Sequence, residues 1–251
     1  MRTMPLHKHL ARLVLLAGAG ALALAAGGCS VKGGENPNLI AGKQMFVAKC
    51  GACHTLARAE TKGTVGPNLD EAFRAAVNEG GGRNTVRTVV EGQVENPNPE
   101  GLMPKGLASG AVLKDIAAYI ADSAAKSGSD SGLLATAVKA PGSGKPAVEK
   151  AGKLQIAADP AGQLAYVTKS ASAKPGAVTI EMPNASGVSH NIAVEAGEKG
   201  ANGTGTVVGA SPFTAKGSVS VHVTLKPGTY TFFCQAPGHR AAGMYGTLTV
   251  K

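Results

Sequence analysis

Two domains are predicted from this sequence, an all-α domain followed by an all-β sandwich, and three observations carry the prediction. From Asn38 to Ala124 apolar residues recur at helical spacing around a Cys-x-x-Cys-His run. From Leu154 onward the periodicity becomes two, in short runs separated by turn signals such as Lys226-Pro227-Gly228. Between them lies a stretch of Ser, Gly, Ala, Lys and Pro. The 251 residues leave room for two domains of roughly 100 residues each, plus a leader and a linker. With no Trp and nine Phe plus Tyr, the cores must rely on Val, Ala, Leu and Ile, and a bound prosthetic group would supply missing apolar bulk. The 35 glycines suit turns and loops more than long helices.

Residues 1–28 read as an export signal. Arg2, Lys8 and Arg12 precede an apolar run from Leu13 to Gly28, shorter than the roughly 20 residues that a spanning helix needs. The run ends at Ala26-Gly27-Gly28-Cys29-Ser30, which resembles the lipobox of bacterial lipoproteins, although that pattern usually has a larger aliphatic residue where Ala26 stands. The resemblance implies cleavage before Cys29, its acylation, and a protein tethered to the outer face of the cytoplasmic membrane. Without the leader the chain keeps 22 basic against 16 acidic residues. The charge is spread out, with no basic cluster interleaved with aromatics, so nucleic acid is not an expected partner. An acidic redox partner or an anionic lipid surface fits better.

The first domain is expected over residues 38–124. A helix from Asn38 to Cys50, with Pro37 just ahead, delivers Cys50-Gly51-Ala52-Cys53-His54. In such a run two thiols add to the vinyl groups of haem c and the adjacent imidazole comes to lie under the iron. A thioredoxin-like pair would need a preceding strand and no histidine, and a zinc site would need a second ligand pair nearby. Four cysteines would permit three disulfide pairings, yet none is implied by the spacing. A second helix is expected over Asp70 to Asn78 and a closing one over Ser109 to Ala124, with Ala111, Val112, Ile116, Tyr119 and Ile120 on one face and Ser109 as N-cap.

This half resembles the small class I cytochromes c. Gly66-Pro67-Asn68-Leu69 matches the loop whose proline packs on the proximal histidine, here His54. Met103-Pro104 matches the distal ligand, and the first and last helices are expected to cross near Phe46 and Tyr119. Met45 lies too close to the cysteines to reach the distal side, and no histidine stands between His54 and His190. Ligation by His54 and Met103 implies a fairly high potential and no open position at the iron.

Residues 125–152 have linker composition, as in Ser127-Gly128-Ser129-Asp130-Ser131-Gly132, and are expected to be flexible, spanning roughly 30 Å.

The second domain is expected over residues 153–251, with strands at 177–181, 189–195, 219–223 and 229–234. Its chemistry sits at Cys234, His239 and Met244, spaced C-x4-H-x4-M, with His190 upstream. Two imidazoles, a thiolate and a weak axial thioether are the donor set of a blue-copper centre. The pattern resembles the cupredoxins, which implies a Greek-key sandwich, and Asn191 then corresponds to an asparagine that hydrogen-bonds near the cysteine. His222 alternates with inward Val221 and Val223 and should be exposed.

An electron carrier is therefore expected, with one haem c and one copper, serving membrane respiratory partners. A copper nitrite reductase would need further histidines, and an oxidase subunit with a binuclear copper site would need a second cysteine. The alternative is an accessory electron-donor subunit or domain of a copper-containing reductase or terminal oxidase complex. The small residues around His239, namely Pro237, Gly238, Ala241, Ala242 and Gly243, suit transient docking and electron passage between the centres.

Overall fold

Asn38 starts the helical domain by accepting, through its side chain, the backbone N–H groups of Ile40 and Ala41. This satisfies donors that a first turn leaves unpaired. The computed structural model describes residues 36–251, and residues 37–251 form one compact unit; the leader and Cys29 lie outside the described residues. Helix α1 (Leu39–Lys49) is followed by a small hairpin of β1 (Thr55–Leu56) and β2 (Thr61–Lys62), then α2 (Leu69–Ala72), α3 (Arg74–Asn78), α4 (Gly82–Glu95) and α5 (Gly110–Ser123).

Helices α1 and α5 cross at Gly42, where a Cβ would stand 2.2 Å from the Asp115 carbonyl oxygen and 2.9 Å from Tyr119 Cβ. Glycine is what lets the two backbones approach so closely. Phe46 and Tyr119 meet there with ring centroids 6.2 Å apart, as expected, and both are fully buried. Each such side chain contributes about 1.5–3 kcal/mol on burial.

Three details differ from expectation. The helix expected over 70–78 is split at Phe73, whose ψ of 1° leaves the helical range. Leu113, not Ala111 or Val112, joins Ile116, Tyr119 and Ile120 in the core of α5. Ser109 sits at the N-cap position without a capping hydrogen bond. Helix α4 is unanticipated; it buries Val86, Val90 and Val94, a stripe at spacing four.

The segment 125–152 is not a free tether. Asp130, buried against the helical domain, accepts from Tyr119 Oη at 2.8 Å and pairs with Lys43 Nζ at 3.0 Å and Arg58 Nε at 3.4 Å. Lys43 Nζ also donates to Leu134 O and Gln44 Nε2 to Ala137 O, so the short helix α6 (Leu133–Thr136) lies along α1. Arg58 Nη2 donates to Ser129 O at 2.8 Å. Farther on, β3 (Ala147–Val148) pairs in parallel with β5 (Ser170–Ala173) of the second domain. Low apolar content removed the hydrophobic reason for order, but buried charge and main-chain hydrogen bonds supply another. The segment is better described as a strap.

The second domain is a sandwich. Its strands are β4 (Lys153–Gln155), β5, β6 (Gly176–Asn184), β7 (Ala193–Ala196), β8 (Val207–Ala210), β9 (Gly217–Leu225), β10 (Gly228–Phe233) and β11 (Tyr245–Val250). One sheet runs β3-β5-β11-β10-β7-β8 and the other β4-β6-β9. Alternation sends Val178, Ile180 and Met182 of β6 and Val221, Val223 and Leu225 of β9 inward. His222 is exposed, as expected, and lies 3.0 Å from Thr179 Oγ1. The strand expected over 189–195 is shorter, since β7 begins only at Ala193. His190 instead forms an isolated bridge with Thr214, which frees this stretch of chain to serve the site.

Candidate metal centres

The end of α1 turns tightly into the cysteine motif: Cys50 N–H donates to Phe46 O, and Cys53 and His54 N–H both donate to Cys50 O. Gly51 permits the turn, because a Cβ there would meet Thr61 Cγ2 at 2.6 Å and Val47 O at 2.9 Å. The three described cysteines are free thiols. Burial, reinforced by neighbouring Cys53 and opposed by Lys49, pushes the Cys50 thiol up to about 12, and burial also raises Cys53. A redox dithiol needs a lowered pKa, and burial works in the opposite sense at both thiols.

His54 Nδ1 lies 2.9 Å from Pro67 O. A carbonyl can only accept, so Nδ1 carries the proton and Nε2 keeps its lone pair for a metal. The ring lies against Gly66, where a Cβ would fall 2.4 Å from His54 Cε1. The expected loop thus holds the imidazole, but through the main chain, by the Pro67 carbonyl and the close approach of Gly66. Met103 is partly buried on the same apolar cluster as Cys50, in the loop before α5. Two unpaired thiols one turn apart, an imidazole with a fixed tautomer and a thioether on the shared core fit haem c. Bound there, the haem would supply a one-electron iron couple.

In the second domain three of the predicted donors converge. His190 Nδ1 and His239 Nδ1 are 3.1 Å apart, and Cys234 Sγ is 3.9 Å from the first and 3.5 Å from the second. Such separations arise when each donor stands about 2.0–2.3 Å from a single ion. Two ring nitrogens this close can share one proton at most, whereas a metal ion satisfies both lone pairs. Burial and the neighbouring His239 push His190 down to about 4, and burial lowers His239, which favours the neutral, ligating form of both imidazoles. Burial raises Cys234, opposed by the backbone N–H groups of Asn191 and Ala236, which would stabilise a thiolate.

Met244 is fully buried, and its carbonyl accepts from Cys234 N–H at 3.1 Å. Its place in the fold follows from β10 and β11, which pair at Phe233 with Tyr245 and so close the ligand loop. Asn191 accepts from Gln235 N–H at 2.9 Å and donates to Gln235 Oε1 at 2.9 Å and Ser211 O at 3.2 Å. It thereby joins the His190 stretch to the residue after Cys234, near the cysteine as expected. Tyr166 Oη donates to Asn191 O at 2.7 Å, a support not foreseen. Arg240 also escaped notice in the sequence, though a cation inside an otherwise small-residue ligand loop was a visible signal. The donor set is one of soft sulfur and borderline nitrogen, which fits copper.

Comparison with known proteins agrees with both halves. Residues 153–251 match the family model of copper binding proteins, plastocyanin/azurin family. Cytochrome c6 of Synechocystis sp. is 35% identical over 91 residues, covering 36% of this chain and 68% of its own length. Among solved structures, an auracyanin of Roseiflexus castenholzii is 26% identical, over 41% of this chain and 99% of its own, with a TM-score of 0.35. Auracyanin A of Chloroflexus aurantiacus is 25% identical, over 43% of this chain and 100% of its own, with a TM-score of 0.33. Haem c and copper are thus its cofactors, and electron transfer is its general role. The chain belongs to the cytochrome c6 family through its helical domain and joins to it a copper-binding domain of the plastocyanin/azurin family.

Proposed function

We propose that the chain passes single electrons between a haem held by Cys50, Cys53, His54 and Met103 and a copper held by His190, Cys234, His239 and Met244. The observation that carries this reading is the approach of Gly238 to Thr64. A Cβ at Gly238 would stand 3.3 Å from Thr64 Oγ1. Gly238 precedes His239, and Thr64 lies two residues before Gly66, on which His54 rests. Ala242 and Gly243 face Gly51 and Thr55 across a cleft of about 650 Å³, and a Cβ at Gly162 would lie 2.9 Å from Ala48 O. Small residues therefore bring the copper loop to the proximal side of the haem motif.

His54, with Nδ1 committed to Pro67, and His239, partly exposed beside Gly238, are the side chains through which the electron leaves one centre and reaches the other. Neither donor set, once full, leaves room for substrate, and this reading is of a carrier rather than an enzyme. The leader, the lipobox-like Cys29 and the moderate positive charge support a further part of the proposal. The protein is exported, lipid-anchored at the membrane surface, and exchanges electrons with membrane respiratory complexes.

Thr64→Arg tests the route, because Thr64 is exposed and outside both donor sets. After pulsed reduction of the full chain with both metals, the internal transfer rate should fall by about tenfold or more, equivalent to about 1.4 kcal/mol of barrier. Both visible spectra should stay as in the wild type. An unchanged rate with unchanged spectra would rule out this route.

A further inference from the structure

Arg240 follows His239 in the short helix α7 (His239–Ala242), yet its side chain turns away from solvent and is 13% exposed. Its Nη2 pairs with Glu195 Oε1, and Glu195 is 1% exposed. Its Nε donates to Gly200 O at 2.8 Å. Its Cζ stands 4.2 Å from the centre of the Phe233 ring, a cation–π distance. Glu195 Oε2 accepts Gly205 N–H at 2.9 Å, and Glu195 pairs with Thr231 across β7 and β10.

One guanidinium therefore contacts, directly or at one remove, all three ligand-bearing segments. It is covalently next to His239, it covers the ring next to Cys234, and it is paired to the strand that leaves His190. A buried carboxylate without a partner is strongly destabilising, so Glu195 commits Arg240 to one place. The planar fork serves two acceptors and a ring face together, which the single ammonium of lysine cannot do. Gly203 leaves room for it, since a Cβ there would lie 2.8 Å from Arg240 Nη2.

We infer that Arg240 is a positioning residue of the copper site, holding α7 so that the His239 imidazole faces His190 and Cys234 before the metal arrives and in both of its oxidation states. The inference rests on the copper site and is independent of whether electrons reach it from the haem. In Arg240→Lys, release of copper to an excess of chelator, read as loss of the thiolate-to-copper band, should accelerate roughly 10–100-fold, matching the loss of affinity typical when a support of a metal ligand is removed. With a soluble redox mediator present, so that no internal route is needed, the equilibrium of one electron between haem and copper should shift by about tenfold in the same molecules. Glu195→Gln keeps the shape and the contact with Gly205 but loses the ion pair, and it should move both readouts in the same direction. It also decides the matter if Arg240→Lys does not fold.

Wild-type release rate, band and equilibrium in a folded variant would overturn the inference, leaving Arg240 as a fastener of the 197–205 loop. A wild-type chain without any thiolate-to-copper band would instead contradict the copper site itself, and the two failures are distinct.

Discussion

Cys234→Ala should bind haem normally and hold no blue copper. The sulfur is the one donor that contributes negative charge to the set, and it sits at 1% exposure where burial opposes ionisation. Copper must draw off its proton, aided by the N–H groups of Asn191 and Ala236. Alanine leaves two imidazoles whose Nδ1 atoms are 3.1 Å apart, a pair without the soft thiolate that favours Cu(I). The thiolate-to-copper band should vanish, and the purified chain should carry one iron and no copper after dialysis.

Stability gives a second readout of Cys234→Ala. At copper about 1,000-fold above Kd the wild type should gain about 4 kcal/mol by mass action, and the variant almost none. The residual effect without metal should be small, since only one sulfur atom is removed from the cluster around Phe232 and Met244. A variant that keeps the band, or that gains as much from copper as the wild type, would remove Cys234 from the site.

The contrast between what was and was not legible in the sequence follows from the range of the interactions. Cys50, Cys53 and His54 are fixed by one turn of chain, and Cys234, His239 and Met244 by one loop between paired strands, so spacing alone revealed them. His190 was reachable because its neighbour Asn191 completes a recognisable pair, and the structure joins Asn191 to Gln235 by two hydrogen bonds. Helix α4 was missed although Val86, Val90 and Val94 recur every four residues. Gly81, Gly82 and Gly92 lower its propensity, and no side chain caps its start. The strap was misread for a different reason. Its composition does lack an apolar face, but Asp130 finds partners on α1, α5 and the β1–β2 hairpin. Pairings between distant parts of the chain leave no periodic signature.

Asp130→Ala tests whether that network makes the strap part of the fold. The carboxylate is shared by Lys43, Arg58 and the phenol of Tyr119, whose pKa burial and the Asp130 hydrogen bond raise well above the usual value. The phenol is therefore a donor that needs its acceptor. Removing the acid leaves two cations at 6% and 18% side-chain exposure without their partner. Breaking such a buried arrangement costs about 3–5 kcal/mol, well above the 0–1 kcal/mol of an exposed pair. Denaturant unfolding followed at the haem band should show this loss in the helical domain, and amide exchange should speed up from Ser129 to Ala137 as the hydrogen bonds of Lys43 and Gln44 to the strap open.

The consequence for function is separable from stability. With the strap released, the domains would be joined by a chain of linker composition, and the proposed haem-to-copper transfer would wait on their re-encounter. The internal rate should then acquire a dependence on solvent viscosity that the wild type lacks. Asp130→Asn retains a partner for Tyr119 but neutralises neither cation, so it should fall between the two. A loss under about 1 kcal/mol in Asp130→Ala, with strap amides as protected as before, would mean that contacts other than Asp130 hold the segment. An Asp130→Ala chain with an exposed strap but a viscosity-independent rate would show that the Gly162–Ala48 and Gly238–Thr64 approaches suffice to hold the domains together.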